Sequence, residues 1–435
     1  MTKVFRDPVH GDIFLPEELV ELLDTAQVQR LRGIKQLGTA SLVYPGAVHT
    51  RFEHSLGTYC LAEQLMQVIE EFSVKINPSE RLALGAAAIL HDVGHIPFGH
   101  TIEDERRIFS RHDAPERFER FLGGRTEIAK VLRKYNIEQA VRDILYNTGP
   151  RGKAWMSELI SGTFCADLLD YLARDAFFCG LAQVYDKRIL RSVRISENGN
   201  LYLDCQKDGI IREDLVSEVI NLLRLRYFLT ERVFFHHTKT ASGAMISKII
   251  ERALELGLKL EDMLPRGDEG LLAFIEARWG EDHLIENMLK ALASRNIYKR
   301  AYVLTRRIGQ EKELELVEKY HNEPRLRRKA ECELAASLKL DSSELIIYCP
   351  SSKMQLKEAE VLIKMGSHEP VSLASLNLPE VAVLQDKHRN LWRFYVFIAP
   401  WRLNRVRQIS QACEQYFGFS NHLPALQSAQ LYMNF

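Results

Sequence analysis

Leu90-His91-Asp92-Val93-Gly94-His95-Ile96-Pro97-Phe98-Gly99-His100 closes a strongly apolar segment of the chain. Upstream, residues 82–90 read Leu-Ala-Leu-Gly-Ala-Ala-Ala-Ile-Leu, without a charge. Such a segment is a helix buried all round. Asn77-Pro78-Ser79-Glu80 starts it, with Ser79 as the expected cap. An unpaired carboxylate at the buried end of such a helix costs several kcal/mol, so His91 and Asp92 must be paired or metal-bound. Gly94 and Pro97 break the helix and turn His95 and His100 back toward the same space.

Two other segments supply what this one lacks. His49-Thr50-Arg51-Phe52-Glu53-His54-Ser55-Leu56-Gly57 opens a helix that the apolar spacing Leu61, Leu65, Val68, Ile69 carries to about Phe72. Arg51 and His54 lie three apart and share a face of it. Ser157 to Gly180 reads as one helix, with Asp167, Asp170, Tyr171, Arg174 and Asp175 along one stripe. Three aspartates against one arginine leave the stripe overcharged, and a metal or substrate is expected to balance it. His54, His91, Asp92 and Asp167 are thus two imidazoles and two carboxylates from three helices of a bundle. That set suits one divalent metal of intermediate softness (Mn, Mg, Fe, Ni or Zn) with open positions for water and substrate. Arg51, His95, His100 and His112 are cationic or switchable groups, apt for phosphate and for protonating a leaving oxygen.

Working outward, Asp24-Thr25 caps an expected helix from Ala26 to Leu37, closed by Gly38, with Arg30, Arg32 and Lys35 on a basic face. Arg191-Ser-Val-Arg-Ile, the Glu197-Asn-Gly-Asn200 turn and Leu201-Tyr-Leu-Asp-Cys205 read as a β-hairpin insertion at about 186–208. His236 and His237 are adjacent on the long helix after it, point about 100° apart and are not joint ligands of one metal. Helices run on to about Lys339. Then the period changes: runs at 345–349, 361–364, 371–376, 381–384 and 392–398 read as strands, Asp386 to Asn390 as a hairpin turn, and Asn404 to Phe417 as a helix. The fold expected is mainly α: a helical bundle over 1–340 with the hairpin insertion, and a small α+β domain over 341–435.

Composition narrows the classes. At 435 residues, 46% hydrophobic and 27% charged, the chain can bury a large core, and its formal net charge of zero steers it to neither nucleic acid nor membrane. Seven scattered cysteines without a CxxC pair point to a reducing compartment. No apolar run approaches the roughly 18 residues of a membrane span, and none at the start reads as a signal peptide. The cytoplasm is the expected location.

The blocks Asp7-Pro-Val-His-Gly11, Gln29-Arg-Leu-Arg-Gly-Ile-Lys-Gln-Leu-Gly38, 49–57, 91–100 and Asp167-Leu-Leu-Asp-Tyr-Leu-Ala-Arg-Asp175, in this order, resemble the HD-domain phosphohydrolases. Within them the likeness is to the deoxynucleoside triphosphate (dNTP) triphosphohydrolases, over residues 3 to 250. The resemblance implies an HD-domain bundle, His54, His91, Asp92 and Asp167 as metal ligands, and Arg51, His95 and His112 along the phosphates. It implies His100 as the group that protonates the leaving 5′ oxygen, and Tyr171 and Asp175 on the sugar. Attack at the α-phosphorus would then release whole triphosphate. Lys3, Val4, Asp24, Gln29 and Arg32 match positions that bind an activating nucleotide between subunits, and the family forms dimers or tetramers. Two positions depart from the family pattern: Leu168 stands where members usually carry lysine or arginine, and Cys165 where animal members carry aspartate. The family's arginine on the long helix has two candidates here, Arg226 and Arg232.

Two other readings follow from the same residues. Loss of a cation at Leu168 favours a phosphomonoesterase or phosphodiesterase acting on another nucleotide. The basic clusters Arg325-Leu-Arg-Arg-Lys329 and Arg402 to Arg407 favour a nucleotide-sensing or single-stranded nucleic-acid-binding module.

Overall fold

A computed structural model describes residues 2–150, 152–352, 354–366, 369–424 and 426. Its centre is a helical bundle. The Arg51–Phe72 helix, opened by a capping box between Thr50 and Glu53, packs against both the Pro78–Leu90 and the Ala166–Phe178 helices. In the Pro78–Leu90 helix every residue from Ala83 to Leu90 is buried. Its cap is Asn77 rather than Ser79: the Asn77 Oδ1 accepts from the Glu80 amide at 2.9 Å, and Pro78 takes the first helical position. Gly57 lets the first and third helices meet, because a Cβ there would stand 1.9 Å from Asp170 Oδ1 and 2.4 Å from an Arg174 guanidinium nitrogen.

Three expected elements differ. The helix read over 26–37 is only Ala26–Gln29, continued by a 3-10 turn at Arg30–Gly33. The chain leaves it because the Ile34 carbonyl accepts from the Arg51 amide and Lys35 bridges to Thr50, fixing the segment to the start of the next helix. The helix read over 157–180 is two helices, Ala154–Ser161 and Ala166–Phe178. The segment 381–384, read as a strand, and the turn after it belong to one helix, Pro379–Arg389. Proline at its first position, Glu380 in its first turn and Lys387 to Arg389 in its last suit a helix dipole, and these outweigh the β-branched run.

Short sheets tie the C-terminal residues to the bundle. The strands Val193–Ile195 and Leu201–Asp204 form the expected hairpin, but Leu362–Lys364 pairs parallel to its second strand and Val371–Ser372 follows outside it. A second sheet has Arg393–Ile398 at its centre, flanked by Leu345–Tyr348 and by Lys299–Thr305, a strand in a region read as helical. Strands on both sides of residue 340 therefore share both sheets. Leu356, Ala359, Val361 and Ile363 are buried in the same apolar cluster as the bundle helices. A buried ion network adds to this: Arg106 and Arg327 both reach Glu251, at 2.9 and 2.6 Å, and Lys248 reaches Glu331 at 3.0 Å. Among the described residues no helix is long and apolar enough to cross a membrane.

Replacing Gly57 by alanine drives a methyl group into the Asp170–Arg174 pair. The expected cost is about 1–3 kcal/mol, read as a lowered midpoint of thermal unfolding.

Candidate active site

Three helix ends bring the four candidate ligands together. His54 lies in the first turn of its helix, His91 and Asp92 just past the end of the second, and Asp167 in the first turn of the third. His54 Nε2 stands 3.0 Å from Asp167 Oδ1, 3.2 Å from His91 Nε2 and 3.9 Å from Asp92 Oδ2. His91 Nε2 stands 3.6 Å from Asp92 Oδ1 and 3.9 Å from Asp167 Oδ1. Ligand atoms about 2.1 Å from one ion lie roughly 3.0 Å apart as neighbours and 4.2 Å apart when opposite, so the His54, His91 and Asp167 atoms, 3.0 to 3.9 Å apart, fit one divalent cation, with Asp92 beside them on Arg51.

The donor set gives an independent test. The His91 Nδ1–H donates to the Ala88 carbonyl at 2.8 Å, which leaves its Nε2 as an acceptor. The His54 Nδ1–H donates to Asp170 Oδ2 at 2.7 Å. Nε2 of both rings and the Asp167 carboxylate oxygen then converge with a single proton among them, on His54. Burial works against that proton, but the hydrogen bonds to Asp167 and Asp170 outweigh it and push the His54 pKa up to about 10. A cation held by these atoms takes the place of that proton.

Asp170 is the residue that sequence reasoning left without a role. Fully buried, it accepts from His54, from His10 Nε2 at 2.6 Å, and from Arg174 Nε at 2.9 Å. Arg174 in turn donates to Asp7 at 2.8 Å, and His49 meets Asp175 at 2.8 Å. The aspartate stripe is thus balanced largely within the protein, by Arg174 and by histidines from two distant loops, and not by metal or substrate alone as expected. The signal was in the sequence, since His10 and His49 both sit in motif blocks.

Beyond the ligands lies a second histidine group. The His95 and His112 rings stack at 3.5 Å, and the His100 ring stands edge-on to both at 4.8 and 5.2 Å. Gly94 permits this, because a Cβ there would meet the His112 carbonyl at 2.2 Å. Glu103 accepts from His112 Nδ1 at 3.1 Å. Burial, with the positive charge of Arg51 beside His95 and His100 beside His112, pushes both pKa values down to about 3, so the pair is neutral near pH 7. Arg51 donates to Asp92 at 2.7 Å. Burial opposes the Asp92 charge, but Arg51, His91 and His95 hold this carboxyl well below the usual range. His100 is exposed, with Nδ1 held by Asp104 at 2.8 Å.

The cluster forms the floor of a cavity of about 680 Å³. Arg51, His100, His112, Tyr171 and Asp175 line it, with Arg111, Lys239 and Arg226. Arg226, not Arg232, reaches this cavity; its guanidinium lies 5.1 Å from the Tyr171 ring, whereas Arg232 covers Phe228. Tyr348, Pro350, Met354, Lys357, Glu358 and His388 also line it, so the C-terminal region contributes to the site.

The remaining candidates lie elsewhere. Lys3 pairs with Asp24 at 3.3 Å and Arg32 donates to Gln29 at 2.8 Å, while Val4 is exposed; none of the five lines the cavity. His236 caps a helix that begins at His237, and their rings stack at 4.6 Å instead of diverging. The basic clusters are partly spent: Arg327 is buried against Glu251, and Arg402 pairs with Glu344 at 2.8 Å.

The shared proton has a measurable consequence. His54 is charged in the metal-free chain at pH 7 and must be neutral as a ligand, so binding Mn²⁺ releases about one proton per ion. Affinity then rises with pH, about tenfold per unit, up to the His54 pKa. Calorimetric titration in buffers of different ionisation enthalpy reads the proton count directly; a count of zero would contradict the convergence described here.

The model of the HD domain matches residues 51–175, and that of the HD associated region matches residues 187–424. The uncharacterized protein YwfO of Bacillus subtilis is 32% identical over 325 residues, covering 68% of this chain and 71% of its own length. An uncharacterized protein of Methanocaldococcus jannaschii is 34% identical over 68% of this chain and 59% of its own. The deoxynucleoside triphosphate triphosphohydrolase SAMHD1 of Homo sapiens is 31% identical over 58% of this chain; the match spans 44% of that longer protein. A crystal structure of a hypothetical protein from Aquifex aeolicus superposes with a TM-score of 0.69 at 23% identity, covering 94% of this chain and all of that one, and shares the fold. The chain belongs to the HD-domain phosphohydrolases, enzymes whose HD domain binds a divalent metal and here is followed by an HD-associated region.

Proposed function

We propose that this enzyme hydrolyses deoxynucleoside triphosphates to deoxynucleoside and inorganic triphosphate, with His54, His91, Asp92 and Asp167 holding one divalent ion. The observation that carries the reading is the convergence of His54, His91 and Asp167, with Asp92 3.6 to 3.9 Å from the two histidines, in the lining of a cavity large enough for a nucleotide and rich in arginine, histidine and tyrosine. When bound, the ion polarises a phosphoryl oxygen and lowers the pKa of water.

The side chains around it have separate tasks. Arg51 is held by Asp92 through one nitrogen, and its buried Nε has no hydrogen-bond partner. The His95 ring lies between carboxylates, Nε2 at 3.3 Å from Asp92 and Nδ1 at 3.4 Å from Glu103. A buried donor left unsatisfied costs about 1–3 kcal/mol, and a phosphate oxygen would satisfy the Arg51 Nε. His112 is held neutral beside His95, so it donates a hydrogen bond without adding a buried charge. His100 is exposed at the cavity, with Nδ1 anchored on Asp104, so its Nε2 is free to give a proton to the departing 5′ oxygen. Tyr171 and Asp175 stand on the wall where the sugar would lie.

Regulation and assembly follow from the same reading. An activating nucleotide would bind at Lys3, Val4, Asp24, Gln29 and Arg32 between subunits of a dimer or tetramer. All seven cysteines are free, in keeping with the cytoplasm.

One observation favours a second reading, a phosphomonoesterase or phosphodiesterase. Position 168 is leucine, and Arg51, Arg111, Arg226 and Lys239 are already paired with Asp92, Asp104, Glu358 and Glu105. A polyanion must compete with those carboxylates.

Incubating the purified protein with each dNTP and Mn²⁺ separates the two. Inorganic triphosphate together with deoxynucleoside is the expected product; stepwise single phosphates would assign the second reading. Asp92→Ala is expected to lower kcat/KM by on the order of a thousandfold through loss of several kcal/mol of charge stabilisation.

A further inference from the structure

We propose that Lys357, from the HD-associated region, grips the anionic part of the substrate in the cavity that Leu168 and Tyr171 also line. The inference rests on the phosphate-ester reading above and adds to it a specificity-determining residue from outside the HD domain.

Lys357 opens a short 3-10 turn, Lys357–Glu360, whose neighbours are fixed. Leu356 and Ala359 are buried in the apolar cluster of the bundle, 4% and 0% exposed, so the backbone between them has little freedom. Glu358 stands 3.4 Å from Arg226. Its negative charge also reaches Cys165 and Tyr171, where it adds to the burial that raises both groups. The turn packs on the Glu213–Leu229 helix, whose Arg226 reaches both Glu358 and the Tyr171 ring, so the turn and Leu168 line one cavity. Between these anchors the Lys357 side chain is exposed and lines the cavity.

Its distinction is electrostatic. Arg51, Arg111, Arg226 and Lys239 each have a carboxylate partner. Lys357 has no ion pair among the described residues. An anion that approaches any of the four shares its cation with a carboxylate, whereas at Lys357 it displaces water alone. A flexible ammonium suits a phosphate oxygen as a point charge, without the fixed fork of arginine. Leu168 lines the same cavity without a charge, so a phosphate there would find its cation on the turn from the distant segment.

The test uses the full chain loaded with Mn²⁺, in four forms: parent, Lys357→Ala, Lys357→Arg, and Lys357→Ala combined with Leu168→Lys. Inorganic triphosphate is the probe, as a competitive inhibitor of whichever phosphate ester the parent turns over. Expected for Lys357→Ala is an inhibition constant raised about tenfold, with a weaker dependence on salt, KM raised in parallel, kcat changed less than threefold and metal content unchanged. Lys357→Arg is expected to stay near the parent, and lysine at 168 to recover most of the loss. Equal inhibition constants for parent and Lys357→Ala at low and high salt would overturn the proposal, as would Lys357→Arg behaving like Lys357→Ala. If the parent releases single phosphates from dNTPs, the triphosphohydrolase reading fails, yet the inhibition constants still decide the role of Lys357.

Discussion

The site depends on one buried carboxylate. Asp170 takes hydrogen bonds from His54, His10 and Arg174 and has no access to solvent. An ionised carboxyl in such a place is tolerated only when its lone pairs are filled, and here they are. Through His54 Nδ1 it turns the other ring nitrogen toward Asp167 and His91, and through Arg174 it ties Asp7, at the end of the strand Lys3–Asp7, to the third helix. Gly57 leaves the space for it. A chain with the four ligands but without this second carboxylate would have His54 free to turn.

The histidines of the second group obey a different rule. His95 and His112 are packed face to face beside Arg51, in a place where neither can hold a charge. The ligands, by contrast, sit among carboxylates that favour positive charge. The protein thus separates a cation-binding region from a neutral, hydrogen-bonding region across the side chain of Asp92, which faces both. The cavity cations beyond are nearly all matched by carboxylates, so anion recognition there is a contest between substrate and protein.

The misread elements share a cause. Val381 to Leu384 has the β-branched composition of a strand, yet Pro379 and the charges at both ends make it a helix that packs through Val381 and Leu384. The strand Lys299–Thr305 was hidden because its partner, Arg393–Ile398, lies far along the chain. The helix after Thr25 stops early because its carbonyl at Ile34 is claimed by Arg51. In each case a contact distant in sequence overrode a local preference.

The sequence alone determined the kind of site. Histidine and aspartate at the end of an all-apolar helix, with histidine and aspartate opening two others, allow few purposes, because burying such groups is costly unless a cation or partner repays them. It also determined the bundle, through periodicity, and the hairpin at 193–204. Only the tertiary structure decided that Arg174 and His10, not a metal, balance Asp170, that Arg226 and not Arg232 enters the cavity, and that Tyr348, Lys357 and Glu358 line it. Those facts rest on the meeting of segments more than a hundred residues apart, and such meetings follow from how whole surfaces pack, which no local spacing encodes.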